Sequence, residues 1–213
     1  MGTGMAGRLE TGIDVLDRKL NGGIPPGRII ALSASPASQS ELLLYELTDA
    51  RGSLYLTTRR SDQAVRDAIE STNAPVGSPT VRDIGGNEPL DQANRLIRAL
   101  PEGANLIVDP ADPLETREPS RYQNFLNDLQ THMVNTGSVA FLHCLDGAND
   151  PPQNRNTTLH MADVVFDLET EVRGTEIENR LSIPKFRGGT ALTETIKLEL
   201  ADTVAVDTSR DIA

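Results

Sequence analysis

The sequence predicts an α/β fold in which a mainly parallel central sheet has helices on both faces and antiparallel strands at its C-terminal edge. Apolar runs alternate with segments of helical periodicity between residues 28 and 145, and this alternation is typical of a parallel sheet with crossover helices. Three further strand-like runs follow without a helical segment between them, and strands joined by short turns pair in antiparallel fashion. The length of 213 residues suits one such domain.

Five short apolar runs, separated by helical segments, predict the parallel part of the sheet. The predicted strands are residues 28–33, 53–57, 79–83, 105–109 and 139–145. The predicted helices are residues 39–50, 62–71, 90–100 and 118–135. The last helix carries apolar residues at helical spacing and therefore packs one face against the sheet; they are Tyr122, Phe125, Leu126, Leu129 and Met133.

The C-terminal third begins with a polar loop, rich in Pro and Asn, at residues 146–156. Strand-like runs then cover residues 163–168, 179–183 and 193–200. We expect one domain over residues 9–205, a flexible N-terminus at 1–8 and a frayed tail at 206–213.

The composition is acidic, with a net charge of −11 and a pI near 4.7. Only three of the 20 basic residues are lysines, a pattern that favours a salt-loving archaeon as the source over an ordinary cell. Nucleic-acid affinity comes mainly from Lys and Arg, so the charge disfavours nucleic acid as a partner. The sequence has no stretch of about 18–20 apolar residues and no signal-peptide pattern, so we expect a cytoplasmic protein that does not enter membranes.

Cysteine and histidine usage predicts no metal site. The single cysteine, Cys144, excludes an internal disulfide and lies in an apolar run, where it acts as a small buried side chain. The histidines His132, His143 and His160 lack the spacing of metal ligands, and a histidine in a strand is more often a hydrogen-bonded core residue.

Three segments carry a resemblance to a known family. Residues 11–27 read TGIDVLDRKLNGGIPPG, residues 106–109 read LIVD, and residues 185–188 read KFRG. They resemble, in turn, the segment before the first strand, the Walker B strand and the K-x-R-G element of KaiC-like and RadA-like ATPases. The resemblance covers about residues 9–205 and implies a RecA-like three-layer αβα domain.

The phosphate-binding loop of that family, G-x-x-x-x-G-K-[ST], corresponds here to residues Ala34, Ser35, Pro36, Ala37, Ser38, Gln39, Ser40 and Glu41. Ala34 and Gln39 replace the two glycines, Ser40 replaces the lysine, and Glu41 replaces the hydroxyl that holds Mg²⁺. Loss of the lysine removes a contact of about 1.5–3 kcal/mol, and the carboxylate of Glu41 repels a triphosphate. We therefore expect no ATP or Mg²⁺ cofactor held in the usual way.

The sequence of this loop also predicts how the following helix begins. Ser38 and Glu41 have the spacing of a capping box, in which Ser38 caps the following helix and Glu41 reaches back to the amide of Ser38. The alternative is that Glu41 points to solvent.

Three further positions have a counterpart in the family. Arg59 and Arg60 stand where the family has an acidic pair that activates water, and a guanidinium cannot act as a general base. One of them either pairs with Glu41 or Asp109, or binds a different anion. Asp109 is a residual Walker B carboxylate or, since Pro110 follows it, an ordinary turn residue.

Lys185 and Arg187 are candidates for contacts between subunits, because the resemblance implies that the K-x-R-G element reaches a neighbouring subunit. The alternative is two ordinary basic residues on an exposed strand.

These observations leave three functions open, and we assign no catalytic residue. The first is a KaiC-like protein that has lost ATP hydrolysis and serves as a regulatory or scaffold subunit, in a homo-oligomer or with an active paralogue, and with a protein partner as yet unidentified. The second is a nucleotide-binding ATPase with a non-standard loop. The third is a recombinase-like DNA-binding accessory protein, which the single arginine (Arg155) in the loop at 146–157 disfavours.

Overall fold

The computed structural model describes residues 7–147, 151–190 and 192–207. Its strands are β1 (Arg28–Ala34), β2 (Ser53–Thr57), β3 (Thr80–Asp83), β4 (Asn105–Asp109), β5 (Val139–Leu145), β6 (Val164–Arg173), β7 (Glu176–Phe186), β8 (Ile196–Leu200) and β9 (Val204–Val206). Its helices are α1 (Asp14–Lys19), α2 (Ser40–Glu46), α3 (Asp62–Ser71), α4 (Pro89–Ile97), α5 (Asp112–Glu115), α6 (Pro119–Thr136) and α7 (Arg155–Met161). The predicted N-terminus and tail lie mostly outside the described residues.

The nine strands form one sheet in the order β3-β2-β4-β5-β1-β6-β7-β8-β9. The strands from β3 to β6 are parallel to their neighbours, and β7, β8 and β9 add to them in antiparallel fashion. This arrangement confirms the predicted fold class, a mainly parallel sheet with an antiparallel C-terminal edge.

Two apolar clusters, one on each face of the sheet, make the domain three-layered. Successive residues of β1 alternate between them: Ile30 and Leu32 pack with residues of α1, α2 and α3, whereas Ile29 and Ala31 pack with residues of α4 and α6. This alternation follows from the period of two along a strand.

Local signals fix the helix ends. The Ser61 hydroxyl accepts a hydrogen bond from Ala64 N at the start of α3, and the Glu118 carboxylate accepts from Ser120 N and Arg121 N at the start of α6. Gly137 ends α6 in the left-handed conformation, with φ of 63°.

The C-terminal part differs from the prediction in its first strand. β6 pairs with β1 in parallel, because the connection from β5 contains the helix α7, which begins within the predicted loop at 146–156 and was not predicted. The antiparallel extension therefore begins at β7. Its last strand includes Val206, one residue beyond the predicted domain end, and Glu46 of α2 accepts a hydrogen bond from Val204 N at 2.6 Å.

No helix among the residues that the structure describes is both long and apolar enough to cross a membrane.

Candidate functional site

The loop between β1 and α2 lies at the carboxyl end of the parallel strands, where α/β sheets bind ligands. Ser38 N donates to Ser35 O at 3.0 Å, and the Ser38 hydroxyl accepts from Ser40 N at 3.3 Å. The N-cap residue of α2 is Gln39, whose side chain makes no capping hydrogen bond. The predicted capping box is therefore wrong, since the amide of Ser38 is already bonded within the loop.

A chain of hydrogen-bonded side chains runs beneath this loop. The Ser40 hydroxyl lies 3.1 Å from His143 Nε2, and His143 Nδ1 lies 2.7 Å from Asp109 Oδ1. The Tyr55 hydroxyl donates to the other oxygen, Asp109 Oδ2, at 2.5 Å. Because a carboxylate only accepts, His143 carries a hydrogen on Nδ1 and donates it to Asp109.

The side chains of this hydrogen-bonded network are almost completely buried. Ser40, His143 and Asp109 are 2%, 1% and 3% exposed, and Tyr55 is fully buried. Burial acts to raise the pKa of Asp109, but the hydrogen bond and charge of His143 and the hydrogen bond from Tyr55 outweigh it, so the pKa lies below its ordinary value. Burial and the neighbouring carboxylate raise the pKa of Tyr55 well above its ordinary value. Asp109 is thus held as a carboxylate by two donors.

The order Ser40–His143–Asp109 has the distances of a nucleophile relay. A nucleophile must meet its substrate, however, and the Ser40 side chain is enclosed by the protein. This geometry describes a satisfied internal network and not an exposed catalytic serine.

A second contact, between partly exposed side chains, lies at the same loop. Arg60 Nη1 lies 3.7 Å from Glu41 Oε1 and donates to the Tyr45 hydroxyl at 2.9 Å. The predicted pairing of Glu41 with a neighbouring arginine is therefore present, through Arg60. Arg59 is exposed and forms no ion pair with the residues that the structure describes.

These residues differ from those that hold Mg²⁺–ATP in a phosphate-binding loop. Both oxygens of Asp109 already accept hydrogen bonds, the short side chain of Ser40 points into the protein, and Glu41 adds a negative charge. A phosphate loop needs the reverse, namely close backbone approach, a cation and a free oxygen ligand. The described part of the chain also holds no cluster of three or more metal-ligating side chains.

The two basic residues proposed for subunit contacts are bonded within their own chain. Lys185 Nζ donates to Leu159 O and His160 O, each at 2.8 Å, at the end of α7. Arg187 contacts Asp163 Oδ1 at 3.4 Å and donates to His160 O. Both would have to give up these bonds to reach another subunit.

The arginine of the predicted polar loop is also occupied. Arg155 is buried and lies 2.8 Å from Glu115 and 3.1 Å from Asp112, so it joins α7 to α5. Residues 148–150 of that loop lie outside the described residues. Nearby Cys144 is fully buried, as predicted, and burial raises the pKa of its thiol.

Sequence reasoning did not include His143 in the site. Its membership becomes evident once the strand order is known. β5 lies between β4 and β1, and His143 pairs in register with Leu32 near the carboxyl end of β1. A polar residue there must lie between the loop after β1 and Asp109 at the end of β4.

The fold is that of a RecA-like α/β domain. Two solved structures share the fold: the KaiC-like protein PH0186 from Pyrococcus horikoshii OT3 has a TM-score of 0.75 and 16% identity over 93% of this chain and 98% of its own. The flagellar accessory protein FlaH from Methanocaldococcus jannaschii has a TM-score of 0.73 and 15% identity over 96% of this chain and 100% of its own.

Within this class, the chain belongs to DUF7125, a family of unknown function whose model matches residues 8–213. No curated protein matches the sequence.

Proposed function

We propose that this chain is a cytoplasmic RecA-like subunit that has lost ATP hydrolysis and acts as a regulator or scaffold. The observation that carries the proposal is the buried chain from Ser40 through His143 to Asp109. It uses the loop and strand ends that would otherwise hold a phosphate and a metal, and leaves Asp109 without a free oxygen.

The surface of the loop supports the same conclusion. Arg60 turns to Glu41 and Tyr45, so the charge at the former water-activating position serves an internal contact. Such a half-exposed pair contributes only about 0–1 kcal/mol to stability. Its main effect is on binding, because an incoming triphosphate would have to displace Arg60 while facing the Glu41 carboxylate.

A RecA-like domain that no longer hydrolyses ATP can still act through its protein-interaction surfaces. RecA-like domains assemble side by side, so we expect this one to assemble with its own copies or with an active paralogue. Sedimentation of the purified chain, alone and mixed with a candidate paralogue, measures this directly. A monomer in both samples would contradict the assembly role.

Calorimetry of Mg²⁺–ATP binding in molar KCl tests the loss of nucleotide binding. We expect no heat with the wild type and none with Glu41→Gln, which removes the negative charge without adding a cation. Glu41→Lys adds a cation at the helix start, and weak binding by this variant alone would agree with the proposal. Micromolar binding by the wild type would contradict it and favour the ATPase with a non-standard loop.

A further inference from the structure

The antiparallel extension carries exposed apolar side chains on the same face of the sheet as part of the core. Paired residues of antiparallel strands share a face, as do alternate residues along one strand. Leu168 pairs with Leu181 inside the core, and four residues further along β6 Val172 pairs with Ile177 on the same face. Val172 and Ile177 are 74% and 67% exposed. Between these two pairs, Thr170 pairs with Asn179, so the same face of the sheet passes through one neutral polar pair and ends in two exposed apolar residues beside the turn of the β6–β7 hairpin.

Exposure of large apolar side chains is concentrated on this extension. Among the described residues, the exposed large apolar side chains are Val134, Val172, Ile177 and Val206. Three of these four lie on β6, β7 and β9, and only Val134 lies elsewhere, on α6. Grouped exposed apolar side chains mark an interaction surface more often than scattered ones do.

A cavity of about 600 Å³ lies where the loop after β1 meets this face. Ala37, Ser38 and Gln39 form one side of the cavity. Apolar and neutral polar residues of the extension form the other; they are Thr170, Ile177, Asn179, Leu198, Leu200 and Ala201. The cavity is thus continuous with the exposed apolar pair through Ile177.

The charged residues that line the cavity are all acidic: Glu176, Glu178, Glu199 and Asp207. Glu178 pairs with Arg180 at 2.9 Å, and Asp207 pairs with Lys197 at 3.3 Å. Glu176 and Glu199 are exposed and form no ion pair with other described residues. The lining therefore attracts cations and repels phosphates.

We infer that this surface, formed by the cavity and the Val172–Ile177 pair, binds a segment of a partner protein that carries large apolar side chains next to Lys or Arg. Burial of the apolar side chains of this surface stabilises the complex. The carboxylates of Glu176 and Glu199 select the charge and orientation of the segment. The inference deepens the proposed scaffold function and rests on it, since a nucleotide on the loop would crowd the cavity.

Fluorescence anisotropy with a labelled 12-residue peptide of alternating Leu and Lys tests the inference, with a Leu/Glu peptide as reference. We expect the wild type to bind the Leu/Lys peptide and not the Leu/Glu peptide. Val172→Thr/Ile177→Thr keeps β-branched residues in both strands and should raise Kd about tenfold, the effect of losing a central contact of about 1.4 kcal/mol. Val134→Thr, a matched change outside the surface, should leave Kd within about twofold.

Two double variants, each lacking two carboxylates, distinguish binding at this surface from general attraction to an acidic protein. Glu176→Gln/Glu199→Gln and Glu70→Gln/Glu102→Gln remove the same charge from exposed positions inside and outside the surface. We expect only the first to weaken binding. No binding by the wild type, or equal loss in both double variants, would overturn the inference.

The outcome is separable from that of the nucleotide experiment. Site-specific peptide binding together with ATP binding would overturn the proposed function and leave the surface assignment intact. No ATP binding together with no site-specific peptide binding would overturn only the surface assignment.

Discussion

His143 donates from Nδ1 to Asp109 Oδ1 across 2.7 Å, and both side chains are almost completely buried. The contact joins β5 to β4 at the carboxyl end of the sheet. A buried carboxylate without a partner costs several kcal/mol, so the imidazole stabilises the fold by compensating a charge that the strand end retains. The loop between β1 and α2 contacts the same histidine through Ser40.

Replacing His143 by Ala should lower the free energy of unfolding by about 3–5 kcal/mol, because Asp109 would lose its main partner inside the protein. Urea denaturation at neutral pH measures the change. His160→Ala is the control, since His160 is exposed and should cost less than about 0.5 kcal/mol. A loss below about 1 kcal/mol for His143→Ala would mean that the buried chain does not stabilise the fold.

Tyr55→Phe should give a pH-dependent difference. At pH 8 we expect a loss of about 1–2 kcal/mol, since Asp109 Oδ2 loses a donor. The pKa of Tyr55 is raised in the folded state, so its contribution is complete below the pKa of the unfolded tyrosine, near 10, and is lost as the pH rises toward the folded value.

The stability gap between the wild type and Tyr55→Phe should therefore narrow above pH 10. Denaturation at pH 8, 10 and 11 measures it, and the other tyrosines are common to both proteins. A constant gap would show that Tyr55 ionises normally in the folded protein, and a widening gap would show that folding lowers its pKa; both would contradict the prediction.

Most strands could be predicted from sequence because the buried runs are short, apolar and bounded by turns. β2, β4 and β5 begin and end at the predicted residues. Helix α7 could not, since its residues 155–161 are mostly polar and its arginine is stabilised by Glu115, 40 positions earlier in the chain. Long-range polar contacts of this kind leave no periodic trace in a sequence.

Some contacts of the site could be predicted from sequence and others could not, because the latter also depend on the folded conformation. The pairing of Glu41 with an arginine follows from two charge reversals in one cleft, and Arg60 makes it. The capping box failed because the loop amide is satisfied by Ser35 O, a detail of loop conformation. His143 was read correctly as a hydrogen-bonded core residue, but its partners depend on the strand order.

Ser40 should not behave as a catalytic nucleophile, despite its 3.1 Å contact with His143. We expect no labelling of the folded protein by a fluorophosphonate probe, because the hydroxyl is enclosed. Intact-mass spectrometry measures the adduct, with the Ser40→Ala variant as control. A stoichiometric adduct in the wild type that disappears in Ser40→Ala would contradict the structural interpretation and assign a hydrolase-like site.

Replacing Arg155 by Ala should affect stability and not nucleic-acid binding. Glu115 is fully buried and Asp112 nearly so, and removing their shared guanidinium leaves buried carboxylates uncompensated, at a cost of about 3–5 kcal/mol. Arg95→Ala removes the same charge from an exposed position on α4 and should cost less than about 0.5 kcal/mol. Urea denaturation measures both variants, and anisotropy with a labelled DNA duplex at low salt measures binding. If the wild type bound DNA and a folded Arg155→Ala variant did not, Arg155 would be a DNA contact, which its bonds to two carboxylates argue against.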